Sequence, residues 1–228
     1  MIKLVKIIAM VKRVSFLLVL LLFFQKTNAQ DVWDYKFYDS INHTDFREYS
    51  IFYQKVNFSK PDYALINSAL FYLTNEIRIE NDRKPLDYHK ALEISSYHHS
   101  KEMVEKKFFS HINSKTKKRR NTGDRARLAG INNPFIAENI AYNYISNGET
   151  YLDLAEKIMN QWMNSPGHRA NILSENALQL GCGAFFKDQY IYATQNFQWY
   201  CNIFEKDAED KLPDILKGNQ TLKKVTSE

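Results

Sequence analysis

The chain has 228 residues, 31 basic and 26 acidic, with 44% hydrophobic content, seven glycines and two cysteines. Five of the basic residues and none of the acidic ones lie in residues 1–29, so the remainder carries 26 of each and is formally neutral. The pI of about 9.0 therefore belongs to the leader and gives no argument for a nucleic-acid partner, and two cysteines are too few for a disulfide-stapled scaffold.

Lys3, Lys6, Lys12 and Arg13 precede an 11-residue apolar run at 14–24, and Thr27-Asn28-Ala29 supplies a small residue before Gln30. This is the pattern of a signal peptide over 1–29, cleaved after Ala29, with Met10 an alternative start. The apolar run is shorter than the about 20 residues a spanning helix needs, so no transmembrane helix is expected after cleavage. The expected destination is extracytoplasmic, either secreted or periplasmic, where Cys182 and Cys201 are permitted to pair.

Residues 30–60 read as an N-terminal extension, aromatic and polar without helical period, with an edge strand over 50–54. A helix is expected over 62–83, where Leu65, Ile66, Ala69, Leu73 and Ile77 recur at helical spacing behind Pro61. A second covers 88–107, with Leu92, Ser96, His99 and Met103 on one face, which makes His99 a packing residue; His89 and His98 are assigned to solvent. A short helix over 124–129 closes at Gly130, and 140–144 is a candidate strand. Thr150 and Asp153 form a capping box for a helix with core face Leu154, Ile158 and Trp162, and Pro166 opens a short helix carrying His168.

Residues 178–186 and 190–201 then read as a β-hairpin about Lys187-Asp188-Gln189. That turn puts Cys182 opposite roughly Thr194, so pairing with Cys201 stays open against two buried thiols. Gly123, Gly130, Gly167, Gly181 and Gly183, in so glycine-poor a chain, mark positive φ or close backbone approach. Residues 205–228 are a polar C-terminal tail. Helices first and strands later, without a βαβ rhythm, define an α+β domain over 61–204, with helices packed on a mostly antiparallel sheet.

Three side chains carry the chemistry. His111, Glu138 and His168 lie 27 and 30 residues apart, so only the tertiary fold can join them. Two imidazoles and a carboxylate in one cleft can bind a metal or move a proton. Glu138 sits among Ile136, Ala137, Ile140 and Ala141, where an unpaired carboxylate is costly, so it requires a partner. Ser165 shares a helical side with His168, but no acid orients the pair and no Gly-x-Ser-x-Gly context exists, which argues against a serine hydrolase. Residues 115–127 hold seven basic side chains, read as a solvated loop or an attraction for anionic headgroups or envelope polysaccharide.

Motifs over 65–204 resemble the CAP superfamily (cysteine-rich secretory proteins, antigen 5 and pathogenesis-related 1 proteins; the SCP domain) in its bacterial form. They run from Asn75-x-x-Arg78, Pro85-Leu86 and His99-Ser100-x-x-Met103 through Phe109-Ser110-His111, Asp124-Arg125-Ala126 and Ala129-Gly130. They continue with Ala137-Glu138-Asn139-Ile140-Ala141, Trp162-x-x-Ser165-Pro166-Gly167-His168-Arg169-x-Asn171-Ile172-Leu173, Gly181-x-Gly183 and Thr194-Gln195-Asn196-Phe197. The resemblance implies an α-β-α sandwich. It also implies a cleft that in eukaryotic members has two histidines and two glutamates able to hold a divalent metal. His111 and Glu138 match the first of each kind; Ser165 and Tyr192 stand where the second glutamate and second histidine would be.

With half of that tetrad replaced, His168 is inferred to enter the cleft, giving a His111, Glu138, His168 set of zinc type with an open position. The leading reading is a secreted, non-enzymatic binding module whose cleft takes a divalent metal, zinc favoured, or a small-molecule or lipid ligand. The alternatives are a metal-dependent hydrolase using the same trio, and a cell-envelope interaction protein acting through its surface.

Overall fold

The computed structural model describes residues 33–199; the leader, Cys201 and the tail 205–228 lie outside the described residues. Asp62 caps α1 (Tyr63–Glu80) by accepting from the Leu65 amide at 2.9 Å, and Leu65, Ile66, Ala69, Leu70 and Leu73 turn one apolar stripe inward. His89 caps α2 (Lys90–Glu105) through Nδ1. Capping boxes start α3 (Thr122–Leu128; Asn121 with Asp124) and α4 (Tyr151–Met163; Thr150 with Asp153). Pro166 opens α5 (Pro166–Ile172), the short helix expected to carry His168, and Gly130 at φ +103° follows α3.

The strands are β1 (Asp87–Tyr88), β2 (Ile136–Tyr144), β3 (Gln179–Lys187) and β4 (Tyr190–Gln198), ordered β1-β3-β4-β2. The β3–β4 hairpin turns with Asp188 at φ +55°, β4 pairs β2 antiparallel, and β1 adds a short parallel edge. This is the α-β-α sandwich, with its sheet mostly antiparallel. The hairpin register sets Cys182 opposite Gln195, one residue from the expected Thr194. Cys182 is buried and forms no disulfide among the described residues; Cys201, its expected partner, lies outside them.

Alternation along β3 sorts the two layers. Leu180, Cys182 and Ala184 face α1 and α4, in a core with Leu65, Leu70, Leu154, Ile158 and Trp162. Gly181 and Gly183 face α2 at backbone contact, since a Cβ at either would lie about 2 Å from the α2 main chain. Their carbonyls accept from Ser96 and Ser100 at 2.9 and 2.8 Å, so α2 is both packed and pinned there.

The segment before α1 departs from the sequence reading. Residues 50–54 are not an edge strand: Ser50–Tyr53 is a 3-10 turn whose Ile51 and Phe52 are buried. Trp33, Ile41, Phe46, Phe52 and Val56 pack into the same core as α1. Apolar residues at irregular spacing suit a chain that wraps a core better than one that extends a sheet.

Candidate functional site

Glu138 lies in β2 on the face that α2 and the loop before α3 cover, and only 2% of its side chain is exposed. His111 Nδ1 meets its Oε1 at 3.0 Å, and the Arg125 guanidinium donates to Oε2 at 2.6 Å. His99 Nε2 stands 3.6 Å from Oε1 and donates to the Ser110 carbonyl at 3.1 Å. Burial by itself would push the Glu138 pKa up, but His111, His99 and Arg125 together hold it below the usual carboxylate range. It is therefore an anion at neutral pH.

The partners differ in character. Burial pushes His99 down to about 4, so it is a neutral ring rather than half of an ion pair. With Nε2–H on Ser110, its Nδ1 carries the lone pair and has no hydrogen-bond partner among the described residues. Arg125 is 2% exposed and also bonds the carbonyls of His111, Arg119 and Arg120. It thereby ties the loop that presents His111 to the carboxylate that orients it. His111 is half exposed, and with Nδ1–H directed to the carboxylate its Nε2 carries the lone pair.

The other expected residues are brought to the same neighbourhood by different means. Asn139 donates to the His168 carbonyl at 3.1 Å, and Asn171 donates to Asn139 at 2.9 Å and to the Glu138 carbonyl at 3.4 Å. These bonds lock α5 against β2. His168 is half-buried, its Nδ1 has no protein partner, and burial followed by the His111 charge lowers its pKa. Among the described residues no hydrogen bond joins its ring to His111 or Glu138, and it is the His168 carbonyl that is held to β2. Ser165 occupies the α5 N-cap position without a side-chain cap bond. Tyr192 sits in β4 opposite Tyr142, with ring centroids 4.7 Å apart, and 6.3 Å from Phe109. Phe109 and Tyr142 are exposed, so an aromatic shelf adjoins the polar site.

A three-ligand His–Glu–His metal set does not fit this arrangement. Both Glu138 oxygens are engaged by cationic or N–H donors, and one of them is a buried guanidinium that would repel a cation. Among the described residues no group of three or more His, Cys, Asp or Glu side chains is placed to hold a metal ion. The residues that sequence reasoning missed are Arg125 and His99. Arg125 was visible as one of seven bases over 115–127, in the short helix expected over 124–129 and in the Asp124-Arg125-Ala126 motif, but nothing in the sequence assigned it to Glu138. His99 is buried as expected, yet against a carboxylate rather than only among apolar neighbours.

An α-β-α sandwich with a buried, arginine-held glutamate bracing an exposed histidine places the chain among CAP domains. The family model for the cysteine-rich secretory protein family, CAP, matches residues 71–203, and the chain belongs to that family. It is 32% identical to the "Uncharacterized membrane protein YlbC" of Bacillus subtilis (strain 168) over 125 residues, 55% of this chain and 32% of that protein. It is also 32% identical over 111 residues to the "Uncharacterized protein YkwD" of the same strain, covering 49% and 39%. Among solved structures it is similar to an extracellular protein containing an SCP domain from Bacillus anthracis str. Ames. There the TM-score is 0.50, with 28% identity and coverage of 60% and 41%. The chain therefore matches well under half the length of each of these relatives. No helix among the described residues is long and apolar enough to cross a membrane.

Proposed function

We propose that the protein is an exported, non-enzymatic binding module. Its cleft takes a small or lipid-like ligand by hydrogen bonding a polar head to His111 while the apolar body lies on Phe109, Tyr142 and Tyr192. The observation that carries this is the His111–Glu138 pair: a buried anion fixes the tautomer and direction of an exposed ring, presenting Nε2 as a preset acceptor. His168, on the helix that Asn139 and Asn171 hold against β2, is the second imidazole of this reading. Export is supported by the leader pattern and by the extracellular assignment of the Bacillus anthracis neighbour.

A catalytic role has less support. A hydrolytic metal centre needs about three protein ligands, and Glu138 is committed to Arg125 and His111. A divalent ion would have His111 and His168 as ligands, with Glu138 behind the first as the group that orients it.

The test is equilibrium binding of a dansyl-labelled fatty acid to residues 30–228, with and without EDTA. Saturable binding that survives EDTA and weakens about tenfold in His111→Ala, at unchanged thermal stability, is expected. Equal binding by wild type and His111→Ala would remove the cleft from the function. Binding abolished by EDTA would make a metal part of the grip.

A further inference from the structure

The seven-base segment between 115 and 127 is not a uniform solvated loop. Arg119 pairs with Glu102 at 3.0 Å, Arg125 with Glu138 and Arg127 with Asp124, while Lys115, Lys117, Lys118 and Arg120 remain exposed. Behind this segment, between α2 and α3, lies a cavity of about 220 Å³. Ser95, His98, Arg119 and Arg125 give it polar walls, Ile94 and Leu128 an apolar rim, and no acidic residue lines it.

Arg125 is the unusual wall. Its terminal nitrogens are used on Glu138 and on three carbonyls, but Nε is buried and has no hydrogen-bond partner among the described residues. An unpaired buried donor is costly, and one on a cation is costlier still. Ser95 Oγ accepts from Asn196 at 3.3 Å, which leaves its own hydrogen free to donate. The larger cavity of about 430 Å³ near Arg78 and Arg83 is a poorer candidate, because Asp82, Asp87 and Glu175 line it as well.

We infer that the cavity between α2 and α3 is a second binding site, for a single phosphate-type or other oxyanion group, received by Arg119, Arg125 and Ser95. Its volume is below the range of drug-sized pockets and suits one head group, not a whole lipid. Ile94 and Leu128, 38% and 60% exposed, would meet whatever apolar body carries that group. The free anion and the head group of an anionic lipid share this chemistry. The cavity is separate from the cleft in position, and the two share Arg125, whose terminal nitrogen holds Glu138.

His98 reports occupancy. Burial first, then Arg119 and Lys101, lower its pKa, while Glu102 and Glu105 oppose them. A bound dianion would favour the imidazolium and move the titration upward.

Sulfate, which does not titrate near neutrality, is the probe, followed through the His98 ring signals by NMR on residues 30–228. Saturable binding with an upward shift of the His98 midpoint is expected. Arg119→Gln should weaken it about tenfold, whereas Arg120→Gln, equal in charge change but outside the cavity, should leave it within about twofold. Glu102 keeps Lys106 at 2.6 Å in the first variant, so that variant leaves no unpaired acid. Leu128→Asp, at an exposed rim position, should abolish binding without loss of fold. Absence of saturation in wild type, or equal loss in both arginine variants, overturns the site. Vesicles of phosphatidylglycerol and of phosphatidylcholine separate the sources. Arg119-dependent sedimentation with the anionic vesicles alone assigns the site to a head group; sulfate binding without sedimentation assigns it to a free anion.

Discussion

Two buried glutamates in this protein have opposite environments and should leave opposite marks on its stability. Glu138 has Arg125, and its folded pKa is lowered, so its contribution is present above the ordinary carboxylate value and is lost as pH falls through the lowered one. Among the described residues Glu93 has no cationic partner. Tyr35 and Tyr38 donate to it at 3.0 and 3.1 Å, but burial outweighs these bonds and raises it to about 7. Its neutral form is the favoured one, so its contribution is complete below the ordinary value and is lost as pH rises through about 7. Urea unfolding across this range should show both flanks. Glu93→Gln should flatten the alkaline flank, recovering roughly 3 kcal/mol above neutrality. Glu138→Gln should remove the acid flank and destabilise by about 3–5 kcal/mol, because Arg125 is then buried without an anion. If Glu93→Gln leaves the alkaline slope intact, Glu93 is not its source.

At the scale of elements, α2 lies on β3 because two glycines let it. Gly181→Ala would set a methyl group 2.1 Å from the Glu93 amide, a clash with backbone that cannot move aside. Gly181→Ala or Gly183→Ala should each cost about 1–3 kcal/mol or more and pull Ser96 or Ser100 off its carbonyl. Denaturant midpoints, with α2 hydrogen exchange, would check this. The same strand carries Cys182, whose thiol pKa burial raises well above its usual value. In a Cys201→Ser background, native protein should not react with a thiol reagent, and one equivalent should react on unfolding. Rapid native labelling would mean that this face of β3 opens.

At the scale of the molecule, the chain before α1 is part of the core. Phe52 is fully buried, with ring centroids 5.6 to 6.0 Å from Phe46, Trp33 and Tyr72, and Tyr38 stacks on Tyr88 of β1 at 3.8 Å. Phe52→Ala should therefore cost about 3–5 kcal/mol with an unchanged denaturant slope, as expected of one cooperative unit. A smaller cost with a reduced slope would show that the segment melts separately. Its role was hard to read beforehand because it wraps the core by single aromatic anchors, at no fixed period.

Sequence by itself determined what short-range chemistry controls. The capping box at Thr150, the proline start of α5 and the hairpin about Asp188 are each decided within a few residues, by backbone geometry and local hydrogen bonds. It also determined that Glu138 needs a partner, since burial of a carboxylate is costly wherever the chain places it. Only the tertiary structure decided who that partner is. Arg125 comes from α3, in a basic segment read as solvated, and His99 from a face read as packing, because the field at a buried charge depends on distance in space and not along the chain. That same neutralisation turns Glu138 from an expected metal ligand into the brace that aims His111.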